Sequence, residues 1–590
     1  MAYNVNTMNQ NSMYNMTKPD IKKEWSALSS NQTITGTNNC GYYIPLDPIY
    51  CIPSEKHRIE YQGAFQFTPF VQNIMQSFEG KFLTYFVPYR VIVDKFMNEV
   101  GYWEDFITGG ADGVTDKTLP TFTYQDMIDQ ISSGNIPDLT KSIWDSLGYP
   151  TFLNDYSEAP IIDGTYDFKI NKLAVLAYNE IYNEILRFPD FEDAVELDSL
   201  ALQKCHWQND YFTRARRYQQ RGVTPLLPVT PVTLTQTLQH HGTNYSTAYP
   251  DAVLVDLRTG NSGGVQGVDM ENSSYPYLGD KQTTIGSDTI WHLASVNSSG
   301  QPNPSSANFI NAYLPTDRLQ DHNVSLSVDN VSINLNELLL DMSIMRYQIN
   351  NARMQPRYCD QLQARFGIYP EDARLDRPEY IGSSYINIST EGVTNTSGAI
   401  GSSAPQGKIT SQAWGVSKDN KPLTYEVKEH GLILTVFYVR PASVYDGVIP
   451  KQALASSRFD FPTPELANTP DVPILRRELS FLLPTATYPD SQNDVVIGWT
   501  DIYSEYRTRL NKVCGLCRPS DSSGFKNNLA RFWTHSAPPE LNEDLICCTP
   551  DMARIKQYTA QPDFIYFVRQ SVSTAQPLPI RSEPALLGNI

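Results

Sequence analysis

The sequence predicts a mainly β protein, and three observations carry that prediction. Its 590 residues include 40 prolines, 33 glycines and 35 tyrosines, which favour short strands and turn-rich connections over helical bundles. Apolar residues make up 41% and charged residues 19%, enough for large buried cores and too little charge for a disordered or coiled-coil chain. Short β-branched and aromatic runs also recur along the whole length.

Taken in order, residues 1–40 are polar and aperiodic and read as an extended N-terminal arm. Strand candidates follow. Gly63-Ala64-Phe65-Gln66-Phe67 alternates, and Phe82 to Val87 is an aromatic run stopped by Pro88. Further runs are Val324 to Val328, Tyr385 to Ile388, Leu432 to Val439, Val495 to Trp499 and Phe564 to Val568. Two helices stand out between them. Lys172 to Phe188 carries Leu173, Leu176, Ala177, Ile181, Ile185 and Phe188 on one face, with Asn171 as N-cap and Pro189 as the stop. Leu335 to Gln355 carries a stripe of Leu335, Leu338, Leu339, Met342, Met345, Ile349 and Ala352, with Asn334 and Glu337 in capping-box register. Both stripes are expected to pack into a core. Residues 227–330 differ in texture. Gly, Asn, Ser, Thr and Pro dominate, with β-like pieces such as Ala252 to Leu257, as in an inserted surface subdomain.

Length alone suggests roughly three or four domains. The longest apolar run, Gly431 to Val439, is far shorter than the ~18 residues of a membrane helix, so no membrane insertion is expected. No basic and apolar leader is readable near Met1, so synthesis in a cytoplasm is expected. The eight cysteines are sparse and irregular, as in a chain kept reduced. Between Asp94 and Asp198 there are 21 Asp/Glu against 6 Lys/Arg, a net of −15 out of the chain's −18. The acidity is therefore regional, and basic patches have room elsewhere.

Two such patches exist. Lys204 to Arg221 sets Lys204, Arg214, Arg216, Arg217 and Arg221 against Asp210, interleaved with Trp207, Tyr211, Phe212 and Tyr218. Cations neutralise phosphates and aromatic faces stack bases, a sequence-tolerant way to hold single-stranded nucleic acid. Equally, the patch is suited to pairing with the acidic segment before it, or to a subunit contact. The second patch, Asp501 to His535, holds Arg507, Arg509, Lys512, Arg518, Lys526 and Arg531.

Catalytic signals are weak. There is no phosphate loop ending in Gly-Lys-Ser/Thr, no zinc-protease helix and no nucleophile elbow, and the glycine-rich stretch Gly260 to Gly267 lacks a strand-to-helix context. Cys514 and Cys517, with Cys547 or Cys548 and His535, form the best zinc candidate, although buried free thiols are the plainer reading. His240, His241, His292 and His322 read as polar surface histidines. No catalytic residue, cofactor or metal is assigned.

Several motifs nevertheless fall in order along the chain. They are Phe86-Val87-Pro88-Tyr89-Arg90, Leu176-Ala177-Tyr178-Asn179-Glu180-Ile181-Tyr182-Asn183-Glu184, Asp210-Tyr211-Phe212-Thr213, and Ala373-Arg374-Leu375-Asp376-Arg377-Pro378-Glu379-Tyr380-Ile381-Gly382. Pro405-Gln406-Gly407, Glu429-His430-Gly431, Val439-Arg440, Glu505-Tyr506-Arg507 and Gln576-Pro577-Leu578-Pro579 follow. This series resembles the major capsid proteins of microviruses, small icosahedral phages with single-stranded DNA, and is most similar to the gokushovirus-like branch. One departure is Pro53-Ser54-Glu55, where the family usually has Pro-Gly-Asp.

The resemblance implies an eight-stranded antiparallel viral jelly roll with very long insertions containing a few helices. It replaces the three or four domains by one capsid domain from 41 to 590, with the subdomain 227–330 inserted in it. It also implies a structural protein, not an enzyme, that self-assembles through pentameric subassemblies into a T=1 shell of about sixty copies. The implied partners are a circular single-stranded DNA genome, small basic packaging or pilot proteins of the virion, and a receptor on the bacterial host. On this reading Lys204, Tyr211, Phe212, Arg214, Arg216, Arg217, Tyr218 and Arg221 face the DNA. In the insertion, Tyr245, Tyr249, Tyr275, Tyr277 and Trp291 are candidates for binding the host, because aromatics anchor interfaces. The alternative class is a β-rich glycan-binding or glycan-cleaving protein, favoured by abundant Tyr, Asn and Asp and opposed by the absence of a leader. A metal-dependent nucleic-acid enzyme is a third reading, resting on the cysteines and the basic patch.

Overall fold

Strand β5 (Phe78–Pro88) shows how the fold is built, because both of its faces are buried. Phe78, Phe82 and Phe86 point into one core, while Leu83, Tyr85 and Val87 point into another. Such a strand must lie between two layers, since side chains alternate with period two. The computed structural model describes residues 25–110, 116–134, 136, 139–151, 169–222, 253–255, 277–285, 288–294, 310–313, 335–353, 376–394, 409–417, 421–467, 471–521 and 527–578.

The strands before β5 are β1 (Ser26–Asn38), β2 (Ile44–Pro45), β3 (Ile49–Cys51) and β4 (Lys56–Phe67); β6 (Thr121–Phe122) and β7 (Ile170–Asn171) form a small separate pair. After the insertion come β12 (Glu379–Thr394), β13 (Ile409–Ser417), β14 (Leu423–Glu426), β15 (Gly431–Pro441), the pair β16 (Val472–Leu475) and β17 (Val496–Thr500), and β18 (Phe564–Gln576). Ten of these join one antiparallel sheet in the order β1-β18-β4-β13-β12-β5-β15-β2, with β14 beside β4 and β3 beside β15. The sheet curls on itself. Phe65 on β4 lies 5.7 Å from Phe437 on β15, four strands along the order, and Tyr61 stacks on Phe82 at 5.4 Å. Phe67, Phe564 and Tyr566 complete this aromatic interior. A curled antiparallel sheet with chain mass concentrated between its strands is the architecture expected of a jelly roll with long insertions.

The strand runs read from the sequence fall within β4, β5, β12, β15 and β18, and Val495 to Trp499 overlaps β17 from Val496 on; Val324 to Val328 lies outside the described residues. Residues 26–38, within the polar N-terminal segment, form β1, paired with β18 along 13 residues as the edge of the sheet. Polar side chains on an exposed edge strand conceal it from a hydrophobic pattern, because the backbone supplies the pairing.

A second core covers the outer face of β5 and β15. It is built on the helix Leu173–Ile181, buried on every side and continued by a π turn over Tyr182–Leu186. Lys172, rather than Asn171, is the residue at its N-cap. The helix's polar groups are satisfied within the lobe: the Asn179 amide donates to the carbonyls of Leu197 and Ser199, and Lys95 reaches Glu180 at 2.8 Å.

The helix Leu335–Arg353 forms as the spacing predicts, but its apolar stripe corrects one expectation. Leu339, Met342 and Met345 are exposed rather than packed in a core, and of the stripe's described side chains only Ala352 is buried. Periodicity reports an amphipathic helix and not whether its cover belongs to the same chain. The proposed cap residue Asn334 lies outside the described residues.

The chain divides into two compact units, one of Met1–Val223 with Met345–Ile590 and one of Thr224–Ile344. In the second, β8 (Val253–Val255), β9 (Tyr277–Ile285), β10 (Asp288–Ala294) and β11 (Ile310–Tyr313) form a four-stranded antiparallel sheet in the order β8-β11-β10-β9. Tyr277 begins β9 and Trp291 lies on β10, while Tyr245, Tyr249 and Tyr275 lie outside the described residues, as do His240, His241 and His322. No helix among the described residues is long and apolar enough to cross a membrane.

Candidate nucleic-acid interface

The first basic segment is fastened by a turn at Asp210. Its Oδ1 accepts the amides of Phe212 at 2.9 Å and Thr213 at 3.0 Å, and its Oδ2 accepts the Tyr445 hydroxyl at 2.5 Å. That turn drives Tyr211 and Phe212 inward, where they pack with Ala215, Tyr445, Ile474, Leu479 and Leu545 in a third small core. Tyr211 donates to Glu478 at 3.0 Å. Burial pushes the Glu478 carboxyl above the usual range, and burial beside Glu478 pushes the Tyr211 phenol up as well. Tyr211 and Phe212 are therefore structural in the subunit, which corrects the expectation that their faces stack on bases.

The arginines divide in the same way. Arg216 pairs with Asp471 at 2.8 Å and Asp501 at 2.9 Å, and Arg353 reaches the same Asp471 at 2.7 Å. The Asp471 side chain is fully buried, so this four-membered alternation of charge holds the segment to β16 and its surroundings. Arg221 pairs with Asp190, and Arg217 donates to the Asp190 carbonyl at 3.2 Å. Part of the patch thus neutralises the acidic segment that precedes it. Arg214 is exposed with no ion-pair partner among the described residues, and Arg217 and Tyr218 are exposed, the guanidinium lying 5.5 Å from the ring centroid. Lys204 is half-buried, 3.9 Å from Glu543.

The second basic segment meets the first. Arg216 forms a backbone bridge with Trp499, and Tyr445, which packs on Phe212, forms parallel bridges with Lys512 and Arg531. Arg531 is used internally, its guanidinium 4.9 Å from Trp207 and 5.3 Å from Trp533 and donating to the Leu545 carbonyl at 2.7 Å. Arg518 approaches Asp446 at 3.5 Å. By contrast, Arg507, Arg509 and Lys512 are exposed and, among the described residues, have no ion-pair partner; Tyr506 beside them is also exposed. These exposed cations of the second segment join Arg214 of the first as the ones without an ion-pair partner among the described residues. The charge count identifies the second segment as basic, but nothing in a single sequence says which arginines have partners.

The motif series also converges. Arg90 pairs with Asp376 at 3.0 Å and Glu429 at 3.3 Å, and the Tyr89 amide donates to the His430 carbonyl. Gly431 faces Pro88 across the sheet, and a Cβ there would sit 2.5 Å from the Val87 carbonyl oxygen. Arg440 donates to the His206 carbonyl at 2.6 Å and pairs with Glu79. The cysteine candidate does not assemble. Cys514 is exposed, Cys517 lies beside Asn527, Cys548 belongs to the helical core, and His535 donates to the Leu483 carbonyl. Cys547 instead faces Glu192.

A family profile described as "Capsid protein (F protein)" matches residues 20–586. The chain is similar to capsid protein VP1 of Chlamydia phage 1, at 25% identity over 93% of this chain and 94% of the relative. It is similar to capsid protein VP1 of Bdellovibrio phage phiMH2K, at 25% identity over 90% of this chain and 89% of that protein. Capsid protein VP1 of Spiroplasma virus 4 matches at 26% identity over 32% of this chain and 33% of its own.

Proposed function

The chain belongs to the phage capsid F protein family, and from that premise we propose that it closes into a T=1 icosahedral shell of about sixty copies around a circular single-stranded DNA genome. Its role is structural, as a major capsid protein of a Microviridae-type virion. The observation that carries the proposal is the family match over nearly the whole chain, combined with a curled sheet whose strands use a small share of the residues. The remaining mass lies in connections, and long connections supply the heterologous contacts that ring-forming subunits need.

On this reading the junction of the two basic segments faces the interior. Arg214, Arg217, Lys204 and Tyr218, with Arg507, Arg509 and Lys512, meet the DNA backbone, while Arg216 and Arg221 position the segment. The insertion 227–330 faces outward and contributes to attachment at a host receptor, with Tyr277 and Trp291 on its strands and Tyr245, Tyr249 and Tyr275 as further candidates. Small basic packaging or pilot proteins complete the virion, and synthesis takes place in the host cytoplasm.

Sedimentation and negative-stain microscopy of the expressed protein test the assembly. Pentameric rings or closed shells are expected across salt and pH conditions. Monomers in every condition, together with no particles from infected cells, would overturn the proposal.

A further inference from the structure

We propose that Glu192, His206 and Cys547 form a buried site for a divalent transition metal, with zinc the ion that suits the donor set. Their ligand atoms all lie within 4.8 Å of one another, and all three residues are buried.

The backbone prepares the geometry. His206 and Cys547 face each other across an antiparallel bridge, flanked by hydrogen bonds from the Trp207 amide to the Ile546 carbonyl and from the Cys548 amide to the Cys205 carbonyl. Directly opposed residues send their side chains to the same side. Glu192 comes from the turn after the buried helix, where the Phe188 amide donates to its Oε2 at 2.8 Å and Arg187 donates to its carbonyl at 2.8 Å. The other carboxylate oxygen, Oε1, lies 2.9 Å from His206 Nε2 and 2.9 Å from Cys547 Sγ, and Oε2 is itself 3.1 Å from the same His206 nitrogen. Phe188 packs edge-on against the His206 ring with centroids 4.7 Å apart, which fixes the ring's orientation.

Tetrahedral zinc with ordinary Zn–O, Zn–N and Zn–S bonds places such atoms about 3.3–3.6 Å apart. The two Glu192 contacts would have to lengthen from 2.9 Å by about half an ångström to admit the ion, and the His206 and Cys547 ligand atoms already lie within 4.8 Å of each other. One thiolate, one carboxylate and one neutral imidazole balance the ion's charge in a buried setting, and the mixed sulfur, nitrogen and oxygen set disfavours magnesium and calcium. Three protein ligands leave a fourth position. A cleft of about 310 Å³ lined by Tyr182, Gln203, Glu543 and Cys547 provides an approach for the ion and for a water ligand. In the second cluster, Cys51 with Glu55 and His57, Glu55 Oε2 lies 3.1 Å from His57 Nε2 and also accepts the Ile52 amide, but the Cys51 thiol donates to the Ile49 carbonyl at 3.3 Å instead of to the carboxylate.

The test uses purified particles or unassembled full-length subunits, stripped with chelator, equilibrated with Zn²⁺ or Co²⁺ and freed of loosely held metal. About one metal per chain is expected, and the cobalt form should show the near-ultraviolet charge-transfer band of a thiolate ligand. Cys547→Ser and His206→Gln should lose most of the metal, whereas Cys51→Ser and the double variant Cys514→Ser with Cys517→Ser should keep it. Wild-type protein that retains no metal, or cobalt without the thiolate band, would overturn the proposal without reliance on any variant's folding. Retention of full metal by folded Cys547→Ser, or its loss from Cys51→Ser alone, would also overturn it.

Discussion

Replacing Arg216 should cost far more stability than replacing Arg214, although the two residues are two positions apart and chemically identical. Arg216 holds Asp471, whose side chain has no exposure, at 2.8 Å, and Asp501 at 2.9 Å. Removing one partner of a buried ion pair costs about 3–5 kcal/mol, because a charge is left buried without compensation. Arg353 remains on Asp471 at 2.7 Å, so the expected loss for Arg216→Ala is about 2–3 kcal/mol. Arg214 is exposed and unpaired among the described residues, and Arg214→Ala should stay within about 0.5 kcal/mol. Urea unfolding of unassembled subunits measures both. The complementary variant changes Arg214, Arg217, Arg507, Arg509 and Lys512 to glutamine. It should unfold like wild type yet lower the salt dependence of single-stranded DNA binding by roughly 0.7 in logarithmic slope for each phosphate that is no longer neutralised. The reasoning fails if Arg216→Ala costs no more than Arg214→Ala, or if the five-fold variant keeps the wild-type salt slope.

Ser54 has a φ of 75°, where the family's usual glycine would be at ease, so Ser54→Gly should stabilise by about 0.5–1 kcal/mol in thermal or urea unfolding, whereas destabilisation would contradict the strain argument. Gly431→Ala places a Cβ 2.5 Å from the Val87 carbonyl and should destabilise by about 1–3 kcal/mol, read as a lower urea midpoint. Burial lowers the His57 pKa below its ordinary value, against the opposing pull of Glu55. The unfolded chain therefore binds the proton more readily, and this contribution to stability is complete above pH about 6.5 and declines as pH falls toward the folded pKa. His57→Gln should flatten that part of the pH–stability curve. Replacement of residues 227–330 by a Gly-Ser linker should leave the jelly roll folded and abolish adsorption to host cells; normal adsorption would move recognition elsewhere on the shell.

The parts of the fold that are legible in the sequence are those whose burial is decided by their own strand. β5 and β15 are dense in aromatic and branched residues because each side chain reaches one of two cores, whichever way it points. β1 has the pattern of a polar arm because its partner, β18, lies at the opposite end of the chain and supplies backbone rather than a hydrophobic face. The stripe on Leu335–Arg353 announces a helix correctly, yet Leu339 and Met342 lie exposed in the single subunit. In the basic patch, charge and aromatic content are visible, but partners are not. Asp471 and Glu478, which commit Arg216 and Tyr211 to structure, come from a distant part of the chain, and so does Cys547 in the cluster with Glu192 and His206. The motif series is legible residue by residue in the sequence, but that Arg90, Asp376 and Glu429 from three of its motifs meet in one ion-pair cluster is visible only in the fold.

The most direct measurement of the central claim is a cryo-electron microscopy reconstruction of DNA-filled particles purified from infected cells. The account predicts a closed icosahedral shell of about sixty chains, with Arg214, Arg507, Arg509 and Lys512 on the inner surface beside density for nucleic acid and residues 227–330 outside. A shell that carries those cations on its outer surface, or particles in which this chain is not the shell subunit, would contradict it.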